Sequence, residues 1–451
     1  MRSRILYRWL KTTRPGECRP RLNDRYDSSS LGWNPESGRL AIFISLLMLA
    51  APAFAGSHSM ATPVATGPGT IIDQTNFRNF GTLVPQALGF AIQHGLVVHV
   101  VPTRRIEWPS AYRRTTEQYS SQVRLDSQDV MRNYVAGLPF PLLEPADPRK
   151  AVKIAYNWHW GPFIPPQVTL MATQKERAWK IDPNQPTNLI NDDSHADFRN
   201  IGSCQQIVIL RFTHTLRWLA DPHRSDSPVE YKQRGDYCGP EPNAYIMVQY
   251  IDPDRNSDSW FFPEAVRRWR RMKLRGGYPH QSCTYACSQF WWEYVPPKTE
   301  AYTYRLVTEQ PLLACLDAKR GAAGIDQGRD AIRFGTLDCE IRSAYVVEML
   351  PRPAPEKILR SMVFIDKETY LCLGALYYRE ESLPEALVPI WSRQTTDSDE
   401  TRMALADDYY VPTDVQEFFL SLNMQDESNV LDADEPSLNL FNPRIEGLRL
   451  H

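Results

Sequence analysis

The chain has 451 residues, of which 42% are hydrophobic and 23% are charged, so it is long enough to bury a sizeable core. Its formal net charge of −2 gives no electrostatic basis for binding nucleic acid. The 36 prolines against 22 glycines predict short elements with frequent breaks, because proline is excluded from helix interiors and from sheet centres.

An uncharged apolar run, Leu40 to Ala51, lies well inside the N-terminal region. Arg39 precedes it, and Ala53-Phe54-Ala55 follows with small residues at the two positions that a signal peptidase recognises. The run is too short for a transmembrane helix, which takes roughly 20 apolar residues. It predicts a secretory signal over residues 40–55 and a mature periplasmic chain, residues 56–451, without a transmembrane segment. A buried core helix is the alternative interpretation.

Residues 1–39 are rich in Arg, Pro and Ser and lack apolar periodicity, and we interpret them as an over-extended N-terminus. Residues 1–55 carry nine basic and four acidic residues, which leaves 42 basic and 49 acidic residues and a net charge of −7 beyond them. No cysteine directly follows the apolar run, so the mature chain is not expected to carry a lipid anchor.

Seven of the eight cysteines lie beyond the predicted signal. An oxidising compartment permits disulfides, and an odd number leaves at least one thiol. We expect pairing among the cysteines from Cys204 to Cys339, with the connectivity open. Cys283 and Cys287 resemble half of a zinc site, but no second pair stands at ligand spacing. Neither a metal nor a cofactor is therefore expected.

The first elements of the mature chain are predicted from hydrophobic periodicity. Leu83 to Gln93 has the spacing of a helix, and Gly95 to Pro102 that of a strand ended by its proline. Thr115 to Tyr134 is polar, with three apolar residues spaced for one helix face, and predicts a surface helix.

Most later segments are rich in Val, Ile, Tyr and Trp and are predicted to be strands. They are Ala151 to Tyr156, Val168 to Thr173, Gln206 to His214, Ala244 to Ile251, Ser259 to Phe262, Ser343 to Leu350, Ile358 to Ile365 and Thr369 to Leu376. Such a run of hairpins with few helices predicts a β-dominated α+β fold, built on one large curved antiparallel sheet in a single mature domain.

Motifs typical of enzymes are missing from the sequence: it has no G-x-S-x-G, H-E-x-x-H, P-loop or G-x-G-x-x-G. The densest carboxylate and imidazole group, residues 192–197, follows a Pro- and Asn-rich stretch and is interpreted as a polar loop. His99 and His159 stand in apolar surroundings, where a structural role is favoured over that of a catalytic base. No catalytic residue is therefore assigned, and a hydrolase is the least favoured alternative.

The segment from Tyr250 to Met272 predicts a strand, an Asp-rich turn, a short aromatic strand and a strongly basic strand. Arginines fall on both faces of the basic strand, so neither face suits a dry core. Either this is an edge strand protected by charge, or it is a rim that meets anionic groups of a partner. The arginines concerned are Arg267, Arg268, Arg270 and Arg271.

Four segments together resemble domain-of-unknown-function family 1329, whose members are exported bacterial proteins often described as outer membrane lipoprotein-sorting proteins. The resemblance covers about residues 69–378. Its motifs are VPTRR, YVAGLPFP with the following Asp147-Pro148, the W-x-x-P-x-x-x-R-R-x-R-R pattern, and FIDKET, at Val101–Arg105, Tyr134–Pro141, Trp260–Arg271 and Phe364–Thr369.

The resemblance implies a fold like that of the periplasmic lipoprotein carriers: an open half-barrel with a few helices on its concave side. It also implies a gene neighbourhood with RND-type exporters and outer membrane proteins. We therefore expect a non-enzymatic carrier of a lipid-like hydrophobic ligand. The candidate ligand contacts are the aromatic residues Trp158, Trp160, Trp260 and Phe262, and for each of them packing in the core is the favoured alternative. The alternative is a subunit that docks onto such an exporter or outer membrane protein through the four arginines.

Overall fold

The structure is a computed structural model. It describes residues 66–163, 167–181, 189–191, 204–211, 229–238, 243–250, 258–263, 268–272, 299–318, 323–326, 331–352, 360–378, 384–395, 401–411 and 417–424. The predicted signal, the 192–197 loop, Cys283, Cys287 and Arg267 lie outside the described residues.

Within these ranges the helices are few and short. The α-helices are α1 (Gln86–Gln93), α2 (Ser110–Tyr119) and α3 (Lys150–His159). Single 3-10 segments are Phe77–Leu83, Ser120–Gln122 and Thr299–Ala301.

Strands make up most of the described chain, which confirms the predicted β-dominated α+β class. The first ten are β1 (Ile71–Ile72), β2 (Val97–Val101), β3 (Arg124–Leu125), β4 (Met131–Arg132), β5 (Gln167–Ile181), β6 (Leu189–Asn191), β7 (Cys204–Arg211), β8 (Val229–Cys238), β9 (Asn243–Tyr250) and β10 (Asp258–Pro263). The others are β11 (Arg270–Met272), β12 (Tyr302–Ala314), β13 (Ala323–Asp326), β14 (Ala331–Phe334), β15 (Thr336–Pro351), β16 (Arg360–Asp366), β17 (Cys372–Tyr378), β18 (Glu385–Thr395), β19 (Thr401–Val411) and β20 (Glu417–Met424).

One extended sheet contains all of these strands except the β3–β4 hairpin. Antiparallel pairings join β12, β15, β16, β17, β18, β19, β20 and β5 in that order. At β5 the sheet divides, because one end of this long strand pairs with β6 and the other with β7. The sheet continues through β14 and β13 on one branch, and through β8, β9, β10 and β11 on the other.

The predicted antiparallel arrangement holds except at one place, where β2 runs parallel to the first residues of β15. These two strands are far apart in the sequence, so no tight turn forces them to run in opposite directions.

The sheet curves strongly around the helices. Trp391 lies in β18, four places along the sheet order from β12, yet its backbone meets the residues that directly follow β12. Its N–H donates to the carbonyl of Cys315 at 2.8 Å, and its carbonyl accepts from the N–H of Ala318 at 3.0 Å. The end of β12 and the middle of β18 are thus close in space, as expected if the sheet between them is curved.

The core lies between the sheet and the helices. In α1 every residue from Ala87 to Ile92 is buried, as expected of a helix enclosed in the core, and Leu88 and Ile92 belong to the same core cluster as Val388 and Ile390 of β18. The helix ends where Gly95 takes a φ of +106°, a conformation that suits glycine at a helix end. The predicted helix and the strand after it are thereby confirmed.

The predicted strand from Ala151 to Tyr156 is wrong, because these residues belong to helix α3. Its buried residues include Ala151, Ile154, Ala155 and Trp158, which have the i, i+3, i+4, i+7 spacing of one helix face. The aromatic and β-branched composition favours a strand, but burial of this stripe against the sheet stabilises a helix.

The predicted surface helix from Thr115 to Tyr134 is also wrong beyond its first turns. Helix α2 ends at Tyr119, and the β3–β4 hairpin follows. The Asp126 carboxylate accepts hydrogen bonds from the backbone N–H groups of Gln128 and Val130 at 2.8 and 3.0 Å. Such side-chain bonds to the backbone stabilise a turn in place of a helix.

The cysteines of the described core form one disulfide, between Cys315 and Cys339. Both residues are buried in the core cluster around α1. Cys372 carries a buried thiol whose sulfur lies 3.4 Å from the carbonyl oxygen of Gly374. The expectation of pairing within the range from Cys204 to Cys339 is confirmed for this pair.

Candidate functional site

The GLPFP turn, residues 137–141, lies between the β3–β4 hairpin and α3 and requires glycine at its first position. Gly137 has a φ of +79°, and a Cβ added there would lie 2.5 Å from the backbone nitrogen of Thr116. The Thr116 hydroxyl accepts the N–H of Leu138 at 2.9 Å and donates to the carbonyl of Tyr112 at 2.8 Å. The turn is therefore held directly against the backbone of α2.

Helix α3 fixes the other end of the turn through a buried amide. The Asn157 side chain accepts the N–H of Phe140 at 2.9 Å and donates to its carbonyl at 2.7 Å. The backbone N–H and carbonyl of Phe140 thus both have hydrogen-bond partners within the protein. The Phe140 ring is buried and lies 6.1 Å from that of Tyr156, so it packs in the core. The two helices and the turn form one packed unit.

The two tryptophans of this region lie inside that unit. Trp158 is 3% exposed and packs with Tyr345 and Val347 of β15. Trp160 is equally buried, and its ring lies 4.4 Å from that of Tyr134. The structure brings the two residues to opposite sides of α3, in different core clusters. Their role as ligand contacts stays a prediction.

The aromatic residues of β10 lie on a separate part of the sheet. Trp260 and Phe262 stand at alternate positions of this strand, so they share one face, and both are half-buried. The Phe262 ring lies 5.3 Å from that of Trp269. Their predicted contact with a ligand is likewise untested.

The basic strand is exposed on both faces, as the alternation of its arginines indicates. Arg268, Arg270 and Arg271 are all exposed to solvent. Arg271 lies opposite Trp260 in the β10–β11 pairing and forms an ion pair with Asp258, two residues earlier in β10. In the described residues β11 pairs with β10 and with no other strand, so the arginines lie at the edge of the described part of the sheet.

A cleft of about 480 Å³ opens between the β3–β4 turn, α3 and the beginning of β12. This volume falls within the range of about 300–1,000 Å³ that is common for ligand sites. Its lining combines carboxylates, one guanidinium and aromatic rings. The lining residues are Ser127, Gln128, Asp129, Val130, Val152, Thr299, Glu300, Tyr302, Tyr304 and Arg352.

A tyrosine behind the cleft anchors its carboxylate. The Tyr156 hydroxyl donates to Oε1 of Glu300 at 2.9 Å and accepts the backbone N–H of Met131 at 3.0 Å. Burial, reinforced by the charge of Glu300, raises the pKa of Tyr156 far above its usual range. The phenol therefore stays protonated and keeps donating to the carboxylate.

Two further tyrosines form the aromatic wall of the cleft. Tyr302 and Tyr304 occupy alternate positions at the start of β12, and their ring centroids are 6.3 Å apart. Burial raises the pKa of Tyr302 to about 12, so its ring remains neutral. Sequence reasoning missed this cleft. The Tyr-Thr-Tyr alternation was a signal for the wall, but the turn and helix that complete the cleft come from distant parts of the chain.

A buried charge network links two of the sequence motifs. Arg342 is 2% exposed, and its guanidinium lies 2.8 Å from the Asp366 carboxylate and 2.7 Å from that of Glu368. It also donates to the carbonyl of Arg104 at 2.9 Å, while the N–H of Arg104 donates to Glu340 at 3.0 Å. The VPTRR and FIDKET motifs are therefore joined through one arginine of β15.

The histidines that sequence analysis considered do not share a site. His99 alternates outward on β2, and its Nδ1 lies 3.7 Å from the Asp338 carboxylate, beyond hydrogen-bond distance. His159 is buried, and its ring packs 4.9 Å from that of Trp160.

Two features are absent from the described part of the chain. No group of three or more His, Cys, Asp or Glu residues there is placed to hold a metal ion. No helix there is long and apolar enough to cross a membrane.

The fold and its motifs define a β-dominated α+β protein in which short helices pack against one curved sheet. The chain belongs to the family described as Protein of unknown function (DUF1329), whose model matches residues 71–381. This match confirms the family resemblance that the four sequence motifs indicated. No curated protein matches the chain.

Several solved structures are similar to this chain at 11% sequence identity. A DUF1329 family protein from Desulfovibrio piger aligns with a TM-score of 0.33, covering 62% of this chain and 93% of its own. A putative outer membrane lipoprotein-sorting protein domain from Vibrio parahaemolyticus aligns at 0.32, covering 63% and 96%. A LolA superfamily protein from Nitrosomonas europaea aligns at 0.28, covering 62% and 90%.

Proposed function

We propose that this protein is an exported, non-enzymatic carrier of a hydrophobic molecule with a polar end, such as a lipid. The observation that carries the proposal is the cleft at the start of β12, where a tyrosine wall stands beside charged groups. Ligand sites commonly combine aromatic surface with a few placed polar groups. A carrier lowers the cost of moving an acyl chain through water, which is about 0.8 kcal/mol per CH₂ group.

Export to the periplasm is part of the same proposal. The apolar run before Ala53-Phe54-Ala55 predicts cleavage near Gly56, with residues 56–451 as one mature domain. The Cys315–Cys339 disulfide supports this proposal, because such bonds persist in oxidising compartments. N-terminal sequencing of the chain purified from the periplasm of a bacterial host checks it. A mature chain that begins at Met1 contradicts it.

Extraction of the purified protein with organic solvent, followed by mass spectrometry, tests the carrier function. Recovery of a lipid in about molar proportion from the folded protein supports the carrier function. In the control, the same protein yields no lipid after denaturation and washing. A ligand-free protein from several preparations, which also fails to take up lipid from vesicles, overturns it.

The exposed arginines of the basic edge strand favour a second candidate, a periplasmic subunit that docks onto an RND-type exporter or an outer membrane protein. Arginine forms bidentate bonds with carboxylates and phosphates, and an edge strand is accessible to a partner. Replacing Arg268, Arg270 and Arg271 by Ser is expected to abolish capture of the partner complex and to leave bound lipid in place. Unchanged capture removes this candidate.

A further inference from the structure

The chemistry of the cleft at the start of β12 favours a positively charged group. In the described part of the lining, the carboxylates of Asp129 and Glu300 stand against the guanidinium of Arg352, so these three groups sum to a negative charge. Two tyrosine rings stand in the same wall. Carboxylates supply the charge that attracts a cation, and aromatic faces add the attraction of their electron-rich surfaces.

The acidic and aromatic groups are held in place before any ligand arrives. Tyr156 fixes one oxygen of Glu300, and that tyrosine is itself held by the backbone of β4. Tyr302 and Tyr304 project from a stretch of β12 that is paired residue by residue with β15 from Tyr302 to Leu306. A site whose groups are already ordered loses little entropy when it binds.

Arg352 gives the same cleft a second, opposite preference. It directly follows the end of β15 and is exposed at the cleft, where its guanidinium is accessible. Guanidinium groups bind phosphate oxygens in a bidentate manner. A ligand that satisfies both parts of the cleft therefore carries a phosphate and an amine within a short distance of each other.

We propose that the cleft binds a zwitterionic phosphate–ammonium group, with the ammonium at Glu300 and the tyrosine wall and the phosphate at Arg352. The group has two sources, the head group of a phospholipid and free phosphocholine or phosphoethanolamine. For the lipid source the inference rests on the proposed carrier function. The cleft volume of about 480 Å³ suits the head group, with the acyl chains extending beyond it.

Isothermal titration of the full chain with three probes tests the proposal. The probes are dihexanoyl phosphatidylcholine, dihexanoyl phosphatidylglycerol with the same acyl chains, and free phosphocholine, all below their micellar concentrations. The phosphatidylcholine is expected to bind about tenfold tighter than the phosphatidylglycerol, a difference within reach of the contact between a desolvated ammonium group and aromatic rings.

Matched variants assign that preference to the cleft. Glu300→Gln keeps an oxygen that accepts from Tyr156 and is expected to remove the preference for phosphatidylcholine. Tyr302→Leu is expected to weaken binding of the trimethylammonium head group severalfold, whereas Tyr302→Phe keeps the ring and restores it. Glu117→Gln, an exposed carboxylate on α2 outside the cleft, serves as the charge-matched control.

The outcomes separate this inference from the carrier function. Equal binding of the two lipids, or an unchanged preference in Glu300→Gln, overturns the head-group site while the carrier function stands. Free phosphocholine binding as tightly as the lipid supports the site and contradicts the carrier function. Absence of binding by all three probes overturns the site, and the solvent-extraction experiment then decides the carrier function independently.

Discussion

Substitution of Gly137 by alanine gives a direct test of how the GLPFP turn is built. Two effects combine at this position: a φ of +79°, and a Cβ that would lie 2.5 Å from the Thr116 nitrogen and 2.7 Å from its Cα. Gly95→Ala is the matched control, because its φ is +106° and a Cβ there would meet nothing within 4 Å. The control carries the backbone strain alone.

The expected magnitudes follow from these contacts. A side chain in the left-handed region costs about 1–2 kcal/mol, and this is the whole loss of stability expected for Gly95→Ala. Gly137→Ala adds the cost of displacing a buried backbone, which is about 1–3 kcal/mol for an overpacked site. Its neighbours are main-chain atoms of a helix, which cannot rotate away as a flexible side chain can. The total is therefore about 2–5 kcal/mol.

Urea unfolding followed by circular dichroism measures both losses, and hydrogen exchange locates them. The amides of Leu138 and Phe140, which donate to Thr116 and Asn157, are expected to exchange faster in Gly137→Ala and to remain protected in Gly95→Ala. Equal losses within about 0.5 kcal/mol would refute the reasoning, since they would show that the approach to α2 adds nothing to the backbone strain.

Three further outcomes are expected. Replacing Cys315 and Cys339 by Ser removes a bond between residues 24 positions apart and should lower the free energy of unfolding by about 3 kcal/mol. A reduced wild type as stable as the oxidised one would contradict this expectation. Arg342→Met should cost about 3–5 kcal/mol near neutral pH, because it leaves the buried Asp366 carboxylate without its cation. Since burial already raises the pKa of Asp366, acidification protonates it, and the loss should shrink as the pH falls; a loss that grows on acidification contradicts this. Hydrogen bonds from Lys150 and Lys367 lower the pKa of Glu309, so Glu309→Gln should lower the free energy of unfolding by about 1 kcal/mol near neutral pH. The loss should vanish at acid pH, where the wild-type carboxylate is protonated as well, and a pH series of melting curves measures this.

Local patterns in the sequence were sufficient for much of the fold. The apolar stripe from Leu83 to Gln93 and the alternation in Gly95 to Pro102 each specify a face that must be buried, and the structure buries both. Alternating arginines likewise predicted that the strand after β10 is exposed. These features depend on neighbouring residues only, which is why they can be identified without a structure.

Local reasoning was wrong where two patterns competed. Ala151 to Tyr156 has the composition of a strand and the spacing of a helix, and packing against the sheet selects the helix. The polar stretch after Tyr119 has the spacing of a helix, but the Asp126 carboxylate accepts hydrogen bonds from the backbone of its own turn and thereby stabilises a hairpin there. In both cases the deciding interactions are formed by the folded chain.

By itself, the sequence determined the class of the fold, the family motifs and the exposed basic strand, because each follows from local composition and spacing. The tertiary structure alone decided the parallel pairing of β2 with β15, the Cys315–Cys339 bond and the charge network around Arg342. It also decided the cleft, whose tyrosine wall, carboxylates and arginine come from segments more than 200 residues apart, Ser127 to Val130 at one end and Arg352 at the other. The closure of such distant segments depends on the curvature and order of the whole sheet, which no local pattern specifies.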